Sequence, residues 1–126
     1  MKSYSRPRCN LFNKEDLVRL RHMLDAAKEA ISFTNDKTRD DLDDDRKLVL
    51  SLVKCIEIVG EAATKVTKEA REQYSEIPWG EIITMRHRLI HAYFDIDLDR
   101  VWDTITDDLP PLMAQLLKVI ESENSR

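Results

Sequence analysis

Glycine and proline are scarce in this chain, with two and four among 126 residues. Sheets and their tight turns need more punctuation than that, so the composition points to an all-α fold. Two cysteines, Cys9 and Cys55, are too few for a disulfide scaffold. Cys55 lies in an apolar helical stretch, and both are expected as reduced thiols of a cytosolic (cytoplasmic) protein. No apolar run approaches the ~20 residues of a membrane span. The stretch from Met1 to Cys9 has no apolar core of the signal-peptide kind, so nothing suggests secretion. Positive charge is not in excess: 20 Lys and Arg against 24 Asp and Glu give a net charge of −4. There is no global pull toward nucleic acid or a membrane surface, and any affinity for RNA has to come from a local patch. What is present is 42% apolar and 35% charged residues, a balance that argues against a disordered chain and against a membrane protein. The length is that of one ordinary domain.

Hydrophobic spacing divides the chain into helices. Residues 1–12 are basic, contain a proline and have no period, which predicts a flexible arm ahead of a single helical domain over 13–126. Asn13 can cap a first helix, and Glu15 and Asp16 suit its positive end. Leu17, Leu20, Met23, Leu24, Ala27 and Ile31 then form one apolar stripe ending near Thr34, and Asn35-Asp36-Lys37 reads as a turn. A long second helix is expected from about Asp40 to about Lys68. Its apolar residues cover more than one stripe, as in a helix central to a bundle or used between subunits. Gly60 interrupts it at a cost of up to ~1 kcal/mol relative to alanine, which a close helix–helix approach would explain. Thr67 to Tyr74 predicts a short polar helical turn. Pro78 fits the first position of a third helix that frays near Ala92. Phe94-Asp95-Ile96 connects to a fourth helix capped by Asp97, which Pro110-Pro111 should break or kink before a last stretch from Leu112 to Ile120. The expected architecture is an antiparallel four-helix bundle with a kinked or broken last helix. Trp79 and Trp102 read as core anchors.

Chemistry concentrates in Met85-Arg86-His87-Arg88-Leu89-Ile90-His91-Ala92-Tyr93. Two arginines, two of the three histidines and a tyrosine meet there in an otherwise acidic chain. Arginine grips phosphate oxygens through paired donors. Histidine, with a free pKa of ~6.5, moves protons both ways near neutrality. These are the groups needed to cleave RNA without a metal: the ribose 2′-OH attacks, a base takes its proton, and a cation stabilises the phosphorane. DNA lacks that hydroxyl and should resist. On one continuous helix Arg86 and His91 stand about 140° apart, so convergence needs fraying at the helix end or two copies meeting at a symmetry axis. The same cluster also suits surface ion pairs or a helix cap. His87 and His91 have metal-ligand spacing, yet neither a His-Glu-x-x-His pattern nor a cysteine pair completes a site, and no metal or other cofactor is expected. The acidic run Asp40-Asp41-Leu42-Asp43-Asp44-Asp45 is better explained by the helix dipole and solvent than by magnesium. Glu61, expected to be partly buried, needs a cation, and Arg86 is the candidate.

Arg86-His87-Arg88-Leu89-Ile90-His91-Ala92-Tyr93 resembles the R-x4-H-x-Y motif of the HEPN superfamily, specifically the HepT-like toxins. Ile58-Val59-Gly60-Glu61-Ala62-Ala63, Ile77-Pro78-Trp79, Asp97 through Trp102 and Leu109-Pro110 resemble further segments of that family in the same order. The likeness spans about residues 14–122. It implies a four-helix-bundle endoribonuclease acting as a homodimer, with the motif of both chains lining one cleft. It implies a toxin of a type VII toxin–antitoxin pair whose antitoxin, MntA, is a minimal nucleotidyltransferase that moves AMP from ATP to the motif tyrosine. By position, Arg86 would stabilise the scissile phosphate, His91 would be the acid–base residue and Tyr93 the AMP acceptor, with His87, Arg88 and Glu61 in support. His87 stands where the family often has asparagine. The alternative is a helical module that holds a nucleotidyltransferase without cleaving RNA itself.

Overall fold

The computed structural model describes residues 13–92 and 95–125. The arm expected over 1–12, together with Cys9, Tyr93 and Phe94, lies outside them. The described chain is mostly helical. Its elements are α1 (Lys14–Phe33), α2 (Asp41–Asp44), α3 (Arg46–Thr64), α4 (Lys68–Gln73), α5 (Trp79–Leu89), β1 (Ile90–Ala92), β2 (Asp95–Ile96), α6 (Leu98–Asp103), a π-helical turn (Thr104–Asp108) and α7 (Leu109–Asn124).

Helix α1 starts where its capping chemistry begins, with Asn13 Oδ1 accepting from the Asp16 N–H at 2.8 Å. Leu20, Met23, Leu24 and Ala27 are buried along its stripe, and Leu17 and Ile31 pack at its margins. Asp16 is also buried, at 1% exposure. Its carboxylate accepts from both the backbone N–H and the hydroxyl of Thr67, each at 2.8 Å. Thr67 in turn caps α4, so one carboxylate fastens the start of α1 to the start of α4.

The expected long second helix is divided. Asp45 leaves helical geometry (φ −116°, ψ 89°) and its side chain accepts from the Leu48 N–H. The acidic run therefore forms the short α2 and then a cap for α3. Aspartate favours that role because its short side chain competes for nearby backbone N–H groups. At the other end the helix stops at Thr64, short of Lys68, because Thr67 starts the next one. Arg39 bridges the acidic run to the far side of the fold, bonding Asp43 and Asp99.

The prolines do not break the last helix. Helical backbone continues from α6 through the π-helical turn into α7, with Pro110 and Pro111 in the first turn of α7. The widened turn just before them relieves the clash a proline ring would make with the carbonyl four residues back. Helix α3 packs against α1 and α5, and α1 also packs against α7. The buried side chains form one cluster around Leu52, Ile56, Val59, Leu89, Ile105 and Leu116. Trp79 is buried with its indole N–H on the Tyr74 carbonyl, and Trp102 packs half-buried against the core, as expected of anchors. Cys55 is a buried free thiol, its pKa pushed from 9.0 to about 11 by burial and the nearby Glu29 carboxylate.

Gly60 marks a close approach. A Cβ built there would lie 3.3 Å from the Ile82 carbonyl oxygen of α5 and 3.8 Å from that of Ile83. Gly60→Leu should therefore cost about 2–3 kcal/mol of stability, since a large side chain has to push two packed backbones apart. Urea denaturation reads this directly.

Candidate active site

Helix α5 ends sooner than the hydrophobic spacing suggests. Ile90 leaves it in extended geometry (φ −126°, ψ 113°) while its N–H still closes on the Arg86 carbonyl. The carbonyl of Leu89, the last residue of the helix, accepts from the Asp97 N–H at 2.8 Å. Ile90 then faces Ile96 and Ala92 faces Asp95 in an antiparallel two-stranded ribbon. The helix expected to fray near Ala92 thus ends at Leu89, and among the described residues this ribbon departs from an all-α chain. A long-range hydrogen bond has replaced the next helical turn. Arg86, His87 and Arg88 occupy the last turn of α5, where cations suit the negative end of the helix dipole. The His91 backbone lies on β1. The angle of about 140° between positions 86 and 91 no longer applies, because the backbone between them is not one helix. The His91 side chain and Tyr93 lie outside the described residues.

The expected partnership of Glu61 with Arg86 is also corrected. Arg86 Nε donates to Glu57 Oε2 at 2.5 Å, and Glu61 is exposed rather than partly buried. The register of the crossing gives the reason. Gly60 of α3 meets Ile82 and Ile83 of α5, and the helices run antiparallel. One turn back along α3 is Glu57, and one turn forward along α5 is Arg86. Glu61 lies on the wrong side of the crossing point to meet it.

Arg88 faces elsewhere, about 200° around the helix from Arg86. It lines a cavity of about 630 Å³ between α5, α6 and the start of α7. Glu81, Asp97, Asp99, Asp103, Asp107 and Asp108 line the same space. Burial, then Asp107 and Glu81, push the Asp108 carboxyl above its usual range, while Arg88 pulls it back. Arg88 therefore serves an acidic groove and does not share a face with Arg86. His87, between them, is exposed. No group of three or more His, Cys, Asp or Glu among the described residues is placed to hold a metal ion. No helix among them is long and apolar enough to cross a membrane.

Sequence reasoning missed Glu57 and the acidic groove. The signal for Glu57 was present: it lies three residues before Gly60, on the face of α3 that a close helix approach would use. The groove had no comparable signal, because its acids come from several elements.

A family model described as ribonuclease HepT-like matches residues 23–119. A protein of Methanocaldococcus jannaschii named "Gamma-glutamylcyclotransferase and putative RNase" is 37% identical over 108 residues, 86% of this chain and 49% of that one. The match thus spans about half of that longer relative. A protein of Caldanaerobacter subterraneus subsp. tengcongensis named "Putative RNase" is 35% identical over 82% of this chain and 93% of its own. One of Thermococcus cleftensis, named "Probable ribonuclease HepT", is 34% identical over 76% and 91% respectively. No solved structure gives a significant match.

Proposed function

The chain belongs to the ribonuclease HepT-like family, and from that premise we propose that it is a metal-independent endoribonuclease, the toxin of a type VII toxin–antitoxin pair. The observation that carries the reading is the early end of α5. It leaves Arg86 in an exposed last turn and places His91 on an extended segment just beyond. In this mechanism His91 removes the proton of a ribose 2′-OH, whose oxygen attacks the adjacent phosphorus. Arg86 balances the charge that builds on the phosphorane oxygens. The 5′-oxygen leaves with the proton returned by the protonated His91, and the products are a 2′,3′-cyclic phosphate and a 5′-OH end. The acidic groove on the Arg88 side repels a phosphate backbone, so RNA approaches on the Arg86 and His87 side. Two copies brought together as a homodimer would line one cleft with both sets of groups.

Silencing follows from the same electrostatics. A nucleotidyltransferase antitoxin of the MntA kind would transfer AMP from ATP to the Tyr93 hydroxyl, whose oxygen attacks the α-phosphorus as pyrophosphate leaves. The added phosphodiester charge repels RNA and pairs with the cations meant for it. A free tyrosine hydroxyl has a pKa of ~10, so the antitoxin has to supply the activating base.

The purified protein is expected to cut single-stranded RNA in the presence of EDTA, to leave cyclic phosphate ends and to spare DNA of the same sequence. Labelled AMP should enter the wild type and not Tyr93→Phe. Cleavage that needs a divalent metal, or label retained by Tyr93→Phe, would overturn the corresponding part. Absence of cleavage together with tight binding to the nucleotidyltransferase would favour a non-catalytic module.

A further inference from the structure

We propose that Glu57 is a positioning residue for Arg86, an inference that rests on the reading of Arg86 as the phosphate-binding cation. An arginine at the end of a helix has four side-chain torsions and many places to be. Here its Nε–H is held at 2.5 Å by a carboxylate from a different helix. One held nitrogen on a planar guanidinium restricts the directions in which its remaining donors can point. The anchor is itself fixed, because Gly60 lets α3 and α5 approach at a defined register and sets Glu57 opposite Arg86. The pair stands partly in solvent, with side chains 46% and 24% exposed. Exposed pairs add little to stability, so the geometric effect outweighs the energetic one.

The carboxylate also acts in a second, opposed way. Its negative charge close to the phosphate site weakens the pull on RNA. Removing it should therefore loosen Arg86 and, at the same time, attract RNA more strongly. This gives a split that a merely structural residue would not produce. Glu57→Ala is expected to lower kcat for RNA cleavage on the order of 10–100-fold, the scale of a misplaced catalytic contact, while KM stays level or falls. Glu57→Gln keeps an oxygen acceptor for Nε–H and loses the charge. It should restore kcat to within a few-fold of wild type and keep the lower KM.

Exchange of the Arg86 Nε–H proton, followed by NMR in the full-length protein, reads the positioning without any need for activity. It should be slow in the wild type, fast in Glu57→Ala and intermediate in Glu57→Gln. Circular dichroism of each variant checks that the helices persist. Unchanged exchange in Glu57→Ala, or unchanged kcat with a raised KM, would overturn the proposal. Failure of the nuclease reading looks different: neither the wild type nor any variant cuts RNA, while the exchange series still decides whether Glu57 holds Arg86.

Discussion

Arg86→Ala is expected to reduce the rate of RNA cleavage on the order of 10³-fold, and His91→Ala on the order of 10²–10⁴-fold. The arginine matters most where charge develops. In the proposed mechanism its guanidinium would meet a phosphate that gains negative charge as the 2′-oxygen attacks, so its contribution would be larger in the transition state than in the ground state. The imidazole matters because neither the hydroxyl proton nor the departing oxygen is dealt with quickly by water alone. Both variants should keep the fold. Arg86 stands half-exposed at the end of α5 with its Nε on Glu57, and His91 lies on a strand paired through backbone groups. Single-turnover cleavage of a defined RNA, with circular dichroism as the control, measures the loss. An Arg86→Ala protein that cuts at the wild-type rate would end the assignment.

Asp16→Ala is expected to cost about 3 kcal/mol of stability. The carboxylate is buried and accepts two hydrogen bonds from Thr67. Alanine leaves the Thr67 N–H and hydroxyl without that acceptor at a half-buried position. Each such orphaned group costs about 1–3 kcal/mol, and bonds to a charged acceptor sit at the upper end of the usual range. Asp16→Asn keeps one carbonyl oxygen and should lose roughly half as much on the same scale. Guanidinium denaturation compares the three proteins. A loss below about 1 kcal/mol in Asp16→Ala would show that the link between α1 and α4 is dispensable.

The parts of the fold legible in the sequence are those set by neighbours in the chain. Asn13 and Thr34 bound α1 because a cap is a local bond. Asp97 caps α6 and Thr67 caps α4 for the same reason. Gly60 announced a close helix approach because glycine inside a helix costs stability with no local gain. The acidic run was ambiguous, since aspartates at a helix start and an aspartate that ends one helix to cap the next look alike. The end of α5 was not legible. Leu89 and Ile90 continue a helical spacing, no glycine or proline interrupts it, and the bond that stops the helix comes from Asp97, farther along the chain. For the site, the cluster at 86–88 was found from residue type. Its division into one arginine toward Glu57 and one toward an acidic groove was not, because it depends on which helices pack on either side.

The ribbon has a consequence for how the proposed modification is recognised. Tyr93 falls in sequence between two short strands paired to each other, and the Asp97 amide ties their base to the end of α5. A two-stranded ribbon is marginal on its own in water, so an excised peptide would not keep that arrangement. The modifying enzyme would then read a conformational epitope held up by the whole domain, and a newly made, still unfolded chain would escape its notice until folding was complete.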